Sequence, residues 1–456
     1  MSSTSIGGSI LGGSQSNTSS GGLGAGIDVS QLVSAAMANQ TAELTVMQSQ
    51  QTQITNEQSA LTSFDNDVQT LQNAVYALTD PVGQMTAIAA TSSDSSILSA
   101  TAVSGTPSGT HTITVSNLAT TSSAYSTAVS SSSTPLATGS ITIQVGSGTP
   151  TTVTIDDTNN TLDGLADAIN NTANIGVTAS VITDANGERL AIVSSSSGQP
   201  GNLTITPSSG LPTFTTSAGT NASLTVDGIP ISSASNVVTG VLSGVTLNLA
   251  GANPDSSVTL TTGPDVTQQE AAVNSFVSAY NTVIGDLNQQ FAVDPTTNSS
   301  GPLASDSTLA LAQSQILSAA SFSMSSNGAV QSLADLGISM NNDGTLTVNS
   351  SALATALQSN PASVQSFFQS ATSGSFGANL SSIVSGIADP ITGSLAQDMN
   401  GLSQTQTSIT QQISDFQDQL NTMQQQLTQQ YVQVDTTLQE LPLLLQQISQ
   451  QLQSLG

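Results

Sequence analysis

The fold is decided near the C-terminal end of the chain, where residues 409–455 read ITQQISDFQDQLNTMQQQLTQQYVQVDTTLQELPLLLQQISQQLQSL. Apolar residues recur there in alternating steps of three and four, the spacing of a helix that buries one seam. Two successive steps of four, from Met423 through Leu427 to Tyr431, predict a local unwinding of a coiled coil. A continuous helix over 402–455 would be about 80 Å long at 1.5 Å per residue. One small domain cannot cover that length, so we expect part of the stripe to pack on other copies of the chain.

A matching apolar stripe runs along residues 44–78 near the N-terminus, with Gln51 and Gln58 on its seam. Buried polar groups at such positions can select the register of a coiled coil. We therefore expect the two termini to meet as helices and to hold the middle of the chain outward. The residues predicted to form the oligomer or coiled-coil interface are Leu44, Met47, Ile54, Leu61, Ile413, Phe416, Leu420, Met423, Leu427, Val434, Leu438, Leu441, Leu445, Ile448 and Leu452.

The middle of the chain, from about 85 to 262, is rich in Ser, Thr, Val and Ile with a period of two, which predicts strands. Asp227-Gly228 between two apolar runs is the strongest short hairpin signal in the chain. Residues 162–170 read as a short helix between strands. The predicted strands are HTITV at 111–115, ITIQV at 141–145, VTASVIT at 177–183, LAIV at 190–193, LTI at 203–205 and VTLNL at 245–249.

These patterns predict a multidomain α+β fold in which a terminal helical coiled-coil or bundle stalk carries inserted β-rich domains. Helices are expected again from about 265, over 306–319, and over 350–357 and 362–368. Pro442 is expected to kink the last helix or to restart it. The predicted division is 1–26 as a flexible leader; 27–80 with 265–456 as helical leg and stalk, of which 27–45 and 428–456 are the leg; 81–125 with 221–264 as a β-rich domain; and 126–220 as a nested small α+β domain.

The charge composition is unusual, because only 6% of the residues are charged and a single Arg faces 28 acidic residues, for a net charge of -27. Nucleic acids and anionic membranes both require clusters of basic residues, so neither is an expected partner. The apolar runs are too short to span a bilayer, which argues against membrane insertion. Two explanations of the missing charge stay open: work in an acidic habitat, or an exposed surface that avoids Lys and resists proteases.

No catalytic, metal or cofactor site is expected. His111 is the only histidine and cysteine is absent, so clusters of metal-ligating His or Cys cannot form. The acidic run DDTNNTLDG at 156–164 fails the calcium-loop pattern, with Leu162 where glycine belongs and Ala168 where glutamate belongs. GGLGAG at 21–26 follows no strand. The chain is therefore not expected to be an enzyme.

Several segments, in the same order, resemble the flagellar filament-capping family, also called hook-associated protein 2. The resembling segments are GIDVSQLVSAAM at 26–37, GTHTITVSNLAT at 109–120, residues 161–198, LTVDGIPISSASNVVTGVLSGVTLNL at 224–249 and residues 332–368. The resemblance implies a secreted, extracellular cap at the tip of a bacterial flagellum, exported by the flagellar type III apparatus. It implies a ring-shaped homo-oligomer that promotes flagellin folding and insertion and prevents flagellin loss.

The implied partners are further copies of the chain, flagellin, the hook-filament junction proteins and an export chaperone. The family usually carries Lys and Arg on its terminal helices, whereas this chain has Gln and Ser there. The family's salt-bridge pattern therefore cannot be carried over to this chain.

A second hypothesis is cell adhesion, in which the Ser/Thr-rich insertion binds mucin or another surface polymer. Deleting about 126–220 separates the two: lost surface binding with normal filaments favours adhesion, and leaked flagellin favours assembly.

Overall fold

The computed structural model describes residues 28–296, 298–325, 327–369 and 374–453. The predicted leader at 1–26 lies outside the described residues. The chain divides into two compact units, which are Met1–Asn66 with Gln289–Ala310 and Ile387–Gly456, and Asp67–Asn288 with Leu311–Gly386. We call them the terminal unit and the central unit. The helices are α1 (Val29–Thr79), α2 (Leu162–Asn170), α3 (Val266–Phe291), α4 (Ser307–Ala320), α5 (Ser350–Ser359), α6 (Pro361–Gln369), α7 (Phe376–Ala388) and α8 (Ser394–Gln453).

The start of α1 is set by Asp28, whose carboxylate accepts the backbone N–H groups of Ser30 and Gln31 at 3.1 Å each. Such a cap satisfies donors that the first helical turn leaves unpaired. The helix ends before Asp80-Pro81, because a residue that precedes proline is disfavoured in helical conformation. The long N-terminal helix predicted from the apolar stripe is confirmed.

The last helix, α8, runs from Ser394 to Gln453 with Pro442 inside it. Proline lacks an N–H, so the carbonyl of Leu438 loses its partner within the helix. Leu438 itself is 46% exposed. Of the two outcomes expected at Pro442, a kink or a restart, the restart is wrong, because the helix continues without interruption through the proline.

The strands form antiparallel sheets, all within the central unit. They are β1 (Ile88–Ser92), β2 (Leu98–Ala102), β3 (Gly109–Asn117), β4 (Thr121–Ser126), β5 (Gly139–Val145), β6 (Thr151–Ile155), β7 (Val177–Asp184), β8 (Gly187–Ser197), β9 (Leu203–Pro207), β10 (Phe214–Ser217), β11 (Ala222–Val226), β12 (Ile229–Ser233), β13 (Val237–Thr239), β14 (Val245–Leu249), β15 (Val258–Pro264), β16 (Ile338–Met340) and β17 (Leu346–Val348). Each strand predicted from a quoted motif is confirmed.

One β core lies between the sheet β1-β15-β3-β11-β12 and the sheet β13-β14-β2. Inward side chains alternate along each strand, as in Val245, Leu247 and Leu249 of β14. The predicted hairpin is confirmed: Asp227 and Gly228 link β11 to β12 with φ of 51° and 81°. Positive φ at both positions matches the twist of the flanking strands.

A second β core is nested between β4 and β10. It contains the sheet β10-β4-β8-β7, the sheet β6-β5-β9 and helix α2. Thr161 begins α2, since its side-chain oxygen accepts the N–H of Gly164 at 3.0 Å. Leu162, Leu165 and Ile169 then turn the buried face of this helix toward the core. The acidic run at 156–164 is thus a turn and a helix start.

The helical part of the central unit is organised around aromatic rings. Phe376 lies 5.9 Å from Phe276 and 4.9 Å from Phe367, measured between ring centroids. Tyr280 donates its hydroxyl to the carbonyl of Gly344 at 3.1 Å, and burial raises its pKa. Helices α3, α6 and α7 are thereby joined through one aromatic cluster. The predicted fold class, helical ends with a β-rich middle in a multidomain α+β chain, is confirmed.

Candidate assembly interface

Helices α1 and α8 pair in opposite directions within the terminal unit. Gln51 Nε2 donates to Thr410 Oγ1 at 2.8 Å, and Gln406 Nε2 donates to Thr55 Oγ1 at 3.2 Å. A step of four residues forward along α1 is therefore matched by a step of four back along α8. Gln51 lies on the predicted seam, and its contact with Thr410 fixes the register of the two helices. Fixing the register is a role that a polar seam residue can have.

An apolar seam continues this pairing toward the start of α1. Val33, Met37 and Leu420 are buried there. Half-buried residues that pack against them are Val29, Leu44, Phe416, Leu427 and Tyr431. A fully buried apolar side chain of this size contributes about 1.5–3 kcal/mol to stability. The seam therefore stabilises the pair over the N-terminal half of α1.

Beyond Tyr431 the apolar stripe of α8 continues without α1 beside it. The register places Val29, at the start of α1, opposite about residue 432 of α8. Residues that share the stripe beyond that point are between 46% and 67% exposed. We call them the C-terminal stripe: Val434, Leu438, Leu441, Leu445, Ile448 and Leu452. They span about 27 Å of helix at 1.5 Å per residue.

The predicted interface residues thus fall into two groups. Those on the paired part are buried or half-buried within the described chain: Leu44, Met47, Ile54, Leu61, Ile413, Phe416, Leu420 and Leu427. Met423, at 39% exposure, and the six residues of the C-terminal stripe are exposed. Among the described residues, the first group is covered within one chain and the second is exposed.

The part of α8 that carries the C-terminal stripe has few charged residues. Between 433 and 453 the charged residues are Asp435 and Glu440, and the polar positions are mainly Gln, Ser and Thr. No ion pair within the described part of α8 sets an orientation. The surface of this part of the helix therefore consists mainly of apolar side chains and side-chain amides.

A group of carboxylates that the sequence did not reveal lies elsewhere in the terminal unit. Asp306 begins α4, its Oδ1 accepting the N–H groups of Thr308 at 2.7 Å and Leu309 at 3.3 Å. The carboxyl of Asp398 lies within hydrogen-bonding reach of Asp306. Asp398 Oδ2 is buried and has no donor among the described residues. Two carboxyl groups in this arrangement can bond only by sharing a proton.

Burial favours the protonated form of Asp398. Burial of Asp398, followed by its contact with Asp306 and the charge of Glu57, raises its pKa to about 6, while a hydrogen bond from Thr308 acts in the opposite direction. An N-cap signal at Asp306 is visible in the sequence, since Asp precedes an apolar helical run. Its partner Asp398 is distant in the chain, and no local pattern connects the two.

His111 lies in strand β3, as predicted. Its Nδ1 is 2.8 Å from Asp227 Oδ2, while Asp227 Oδ1 accepts the N–H of Thr112 at 2.8 Å. The hydrogen bond from His111 lowers the pKa of Asp227. This contact holds the β11–β12 turn against β3, so the role of His111 is structural.

In the part of the chain that the structure describes, no cluster of three metal-ligating residues is found, and no helix there is long and apolar enough to span a membrane.

Comparison with known proteins gives consistent matches over most of the chain. The family described as "Flagellar hook-associated protein 2 C-terminus" matches residues 219–442, and its N-terminal counterpart matches residues 25–122. Flagellar hook-associated protein 2 of Escherichia coli K12 is 29% identical over 84% of this chain and 88% of its own length. The B-type protein of Pseudomonas aeruginosa is 30% identical over 67% of this chain and 70% of its own.

A solved structure shows the same relationship. The D1-D2-D3 domains of the flagellar cap protein FliD from Escherichia coli align with a TM-score of 0.61 at 29% identity, over 75% of this chain and 99% of that one. The chain therefore belongs to the flagellar hook-associated protein 2 family, which is a family of structural flagellar cap proteins and not of enzymes.

Proposed function

We propose that this protein assembles as a ring-shaped homo-oligomer that caps the distal, extracellular tip of a flagellar filament. The cap retains flagellin, promotes its folding and insertion, and reaches the tip by flagellar type III export. The observation that carries the proposal is the C-terminal stripe, an apolar helix surface that is exposed among the described residues. The named roles of the relatives as flagellar cap proteins support it.

In this proposal, residues 27–45 and 428–456 form a leg, and 27–80 with 265–456 form leg and stalk together. Residues 81–125 with 221–264, and the nested 126–220, form the two β-rich domains. Burying a stripe residue that is already half-covered contributes about 1 kcal/mol. Six such residues per copy yield several kcal/mol, which is comparable with the entropic cost of association. A closed ring makes association cooperative, because each copy uses its stripe against neighbours on both sides.

The test replaces Leu438, in the centre of the C-terminal stripe, by Asp. A buried unpaired carboxylate is costly, so Leu438→Asp is expected to abolish ring formation in solution and to leave a cap-deficient strain leaking unpolymerised flagellin. The matched control is Thr436→Asp, on the opposite face of the same turn, which adds the same charge outside the stripe. Normal filaments from Leu438→Asp would contradict the proposal.

A further inference from the structure

The C-terminal stripe has a candidate occupant within its own chain. The register of the helix pair places Val29, the first residue of α1, opposite about residue 432 of α8. The stripe begins two residues further along α8, at Val434, and extends to Leu452. It therefore lies between about 3 Å and 30 Å along the axis of α8 from the level at which α1 begins, at 1.5 Å per residue. The residues that precede α1 are thus joined to the chain next to the stripe.

The sequence that precedes α1 contains an apolar group of suitable size. Residues 6–11 read IGGSIL, and residues 12–22 contain only Gly, Ser, Thr, Asn and Gln. We call residues 6–11 the leader segment, of which Ile6, Ile10 and Leu11 are the aliphatic members. Residues 1–27 contain no charged side chain. Contact of the leader segment with an apolar helix surface therefore desolvates no charge of its own.

The number of residues between the leader segment and α1 matches the position of the stripe. Seventeen residues, 12–28, lie between Leu11 and Val29. A Gly- and Ser-rich chain has an r.m.s. end-to-end distance of about 5–6 Å times the square root of its residue number, which gives about 23 Å for this length. That distance falls within the range over which the stripe extends. Effective concentration is maximal when the r.m.s. length of a linker matches the span that it must bridge.

Effective concentration favours the leader segment of the same chain over that of another copy. A short linker gives an effective concentration on the order of 1 mM, whereas other copies are present at about 1 µM in a dilute solution. A contact with an intrinsic Kd of about 0.1 mM is therefore about tenfold favoured within one chain and almost absent between chains. An affinity this weak requires only a few buried aliphatic side chains.

We infer that, before assembly, the leader segment covers part of the C-terminal stripe of its own chain through Ile6, Ile10 and Leu11. The covered stripe is withheld from other copies, and assembly displaces the leader segment. The preference is spread over several stripe residues, so each of them carries only a small share of it. The effect on assembly rests on the proposed function, whereas the contact within one chain does not.

The contact is tested by disulfide formation in the full-length protein, at a concentration where sedimentation shows a monomer. Ser9→Cys places a thiol in the leader segment and is combined with either Thr437→Cys or Thr436→Cys. Thr437 lies beside Val434 and Leu438 in a shallow depression of the helix surface, and Thr436 lies on the opposite face. Both threonines are exposed, and each donates its hydroxyl to the carbonyl four residues earlier. The two substitutions are therefore matched.

The rates of disulfide formation within one chain decide the outcome. The pair with Thr437→Cys is expected to react at least about fivefold faster than the pair with Thr436→Cys, because the contact holds the leader segment on one face of α8. Replacing Ile6, Ile10 and Leu11 together by Ser is expected to remove this difference. Equal rates for the two pairs, or a difference that survives the triple serine replacement, would overturn the inference.

The effect on assembly is measured by sedimentation of proteins without introduced cysteines. The triple serine variant is expected to assemble at a concentration at least about fivefold lower than the parent, because its binding-competent form is more populated. The control replaces three aliphatic residues of the β-rich domains that are 53–62% exposed, Ile182, Ile229 and Val237, by Ser. It should assemble as the parent does.

The two measurements separate this inference from the proposed function. Assembly of the triple serine variant at the parent's concentration would overturn the inference and leave the cap proposal standing. Assembly only at a higher concentration would mean that the leader segment contributes to contacts between copies, which would also overturn the inference. A parent that shows the difference in disulfide rates but assembles at no concentration would contradict the cap proposal and support the contact within one chain.

Discussion

At the scale of single residues, the start of α4 and the first turns of α8 bring the carboxyl groups of Asp306 and Asp398 within hydrogen-bonding reach. Asp398 has a pKa raised to about 6 by burial and then by Asp306, against about 3.9 in an unfolded chain. Between about pH 3.9 and about pH 6, the folded state therefore binds more protons at this site than the unfolded state does. By linkage, the stability due to this site is fully present below about pH 4 and is lost as the pH rises through about 6.

The corresponding prediction concerns Asp398→Asn, which supplies an amide donor to Asp306 at every pH. The variant is expected to melt at a higher temperature than the parent at pH 7.5 and at a similar temperature at pH 4.5, measured by circular dichroism. Asp418→Asn, at an exposed position of the same helix, should show the parent's pH dependence. A parent melting temperature that does not fall between pH 4.5 and 7.5 would contradict the shared proton.

Two glycines of α7 provide a second residue-scale prediction. A Cβ at Gly377 would overlap the carbonyl oxygen of Phe368 and lie 2.7 Å from Thr79 Cγ2, whereas one at Gly386 meets nothing within 4 Å. Gly377→Ala is expected to lower the free energy of unfolding by about 1–3 kcal/mol through overpacking. Gly386→Ala should raise it by up to about 1 kcal/mol through helix propensity. Equal effects in denaturant titrations would show that α7 does not pack closely on α6.

At the scale of elements, the paired and unpaired parts of α8 predict opposite responses to the same change. Leu420 is 8% exposed and Leu438 is 46% exposed. Leu420→Ala is expected to cost about 2–4 kcal/mol in the monomer, as for other buried leucines. Leu438→Ala should change monomer stability by less than about 0.5 kcal/mol. A similar loss for both, measured on monomeric protein, would mean that the C-terminal stripe is already covered within one chain.

Much of this element structure is visible in the sequence, for physical reasons. Strands with strict alternation, such as ITIQV in β5, can be predicted because their period of two is a local pattern. The Asp227-Gly228 turn can be predicted because its turn chemistry is also local. Helix α7 was not predicted, because its Ser- and Gly-containing sequence has weak helix propensity. Its structure is decided by burial instead. A restart was one of the two outcomes expected at Pro442, because an interior proline removes a backbone hydrogen bond. The helix nevertheless continues through Pro442.

The two carboxylates could not be predicted from the sequence for another reason. Asp306 and Asp398 meet only through the packing of distant segments. The residues predicted to form the interface, in contrast, were chosen from a heptad pattern in the sequence. The sequence could not tell which of them are covered within one chain, because that depends on where α1 begins beside α8.

At the scale of the whole molecule, scarcity of basic residues predicts resistance to trypsin. The chain has no Lys and a single Arg, Arg189. Arg189 lies in β8, where its Nε donates to Asp184 Oδ2 at 2.7 Å and its Nη1 donates to the carbonyl of Ser126 at 3.0 Å. The native chain is expected to survive trypsin, and the urea-unfolded chain should yield two fragments, since cleavage follows the population of the opened state. Rapid native cleavage would show that the β7–β8 hairpin opens readily.

The carboxylates also shape acid stability as a whole. Several aspartates have a lowered pKa because they accept hydrogen bonds from their own turns or from neighbouring side chains: Asp94, Asp156, Asp184, Asp227, Asp335, Asp343 and Asp389. Their stabilisation is present above the ordinary pKa and is lost as the pH falls through the lowered one. Together with Asp398, they predict maximal stability between about pH 4 and pH 6. Melting temperatures from pH 2.5 to pH 8 test this.

The central claim, that the C-terminal stripe becomes buried between copies, is tested most directly by cross-linking. The chain has no cysteine, so a single introduced thiol reports one position. Leu445→Cys lies in the stripe, and Gln447→Cys lies on the opposite face of the same helix. Upon oxidation of the assembled protein, we predict covalent dimers from Leu445→Cys and monomers from Gln447→Cys. Equal cross-linking of the two variants, or none from Leu445→Cys in assembled rings, would contradict the account.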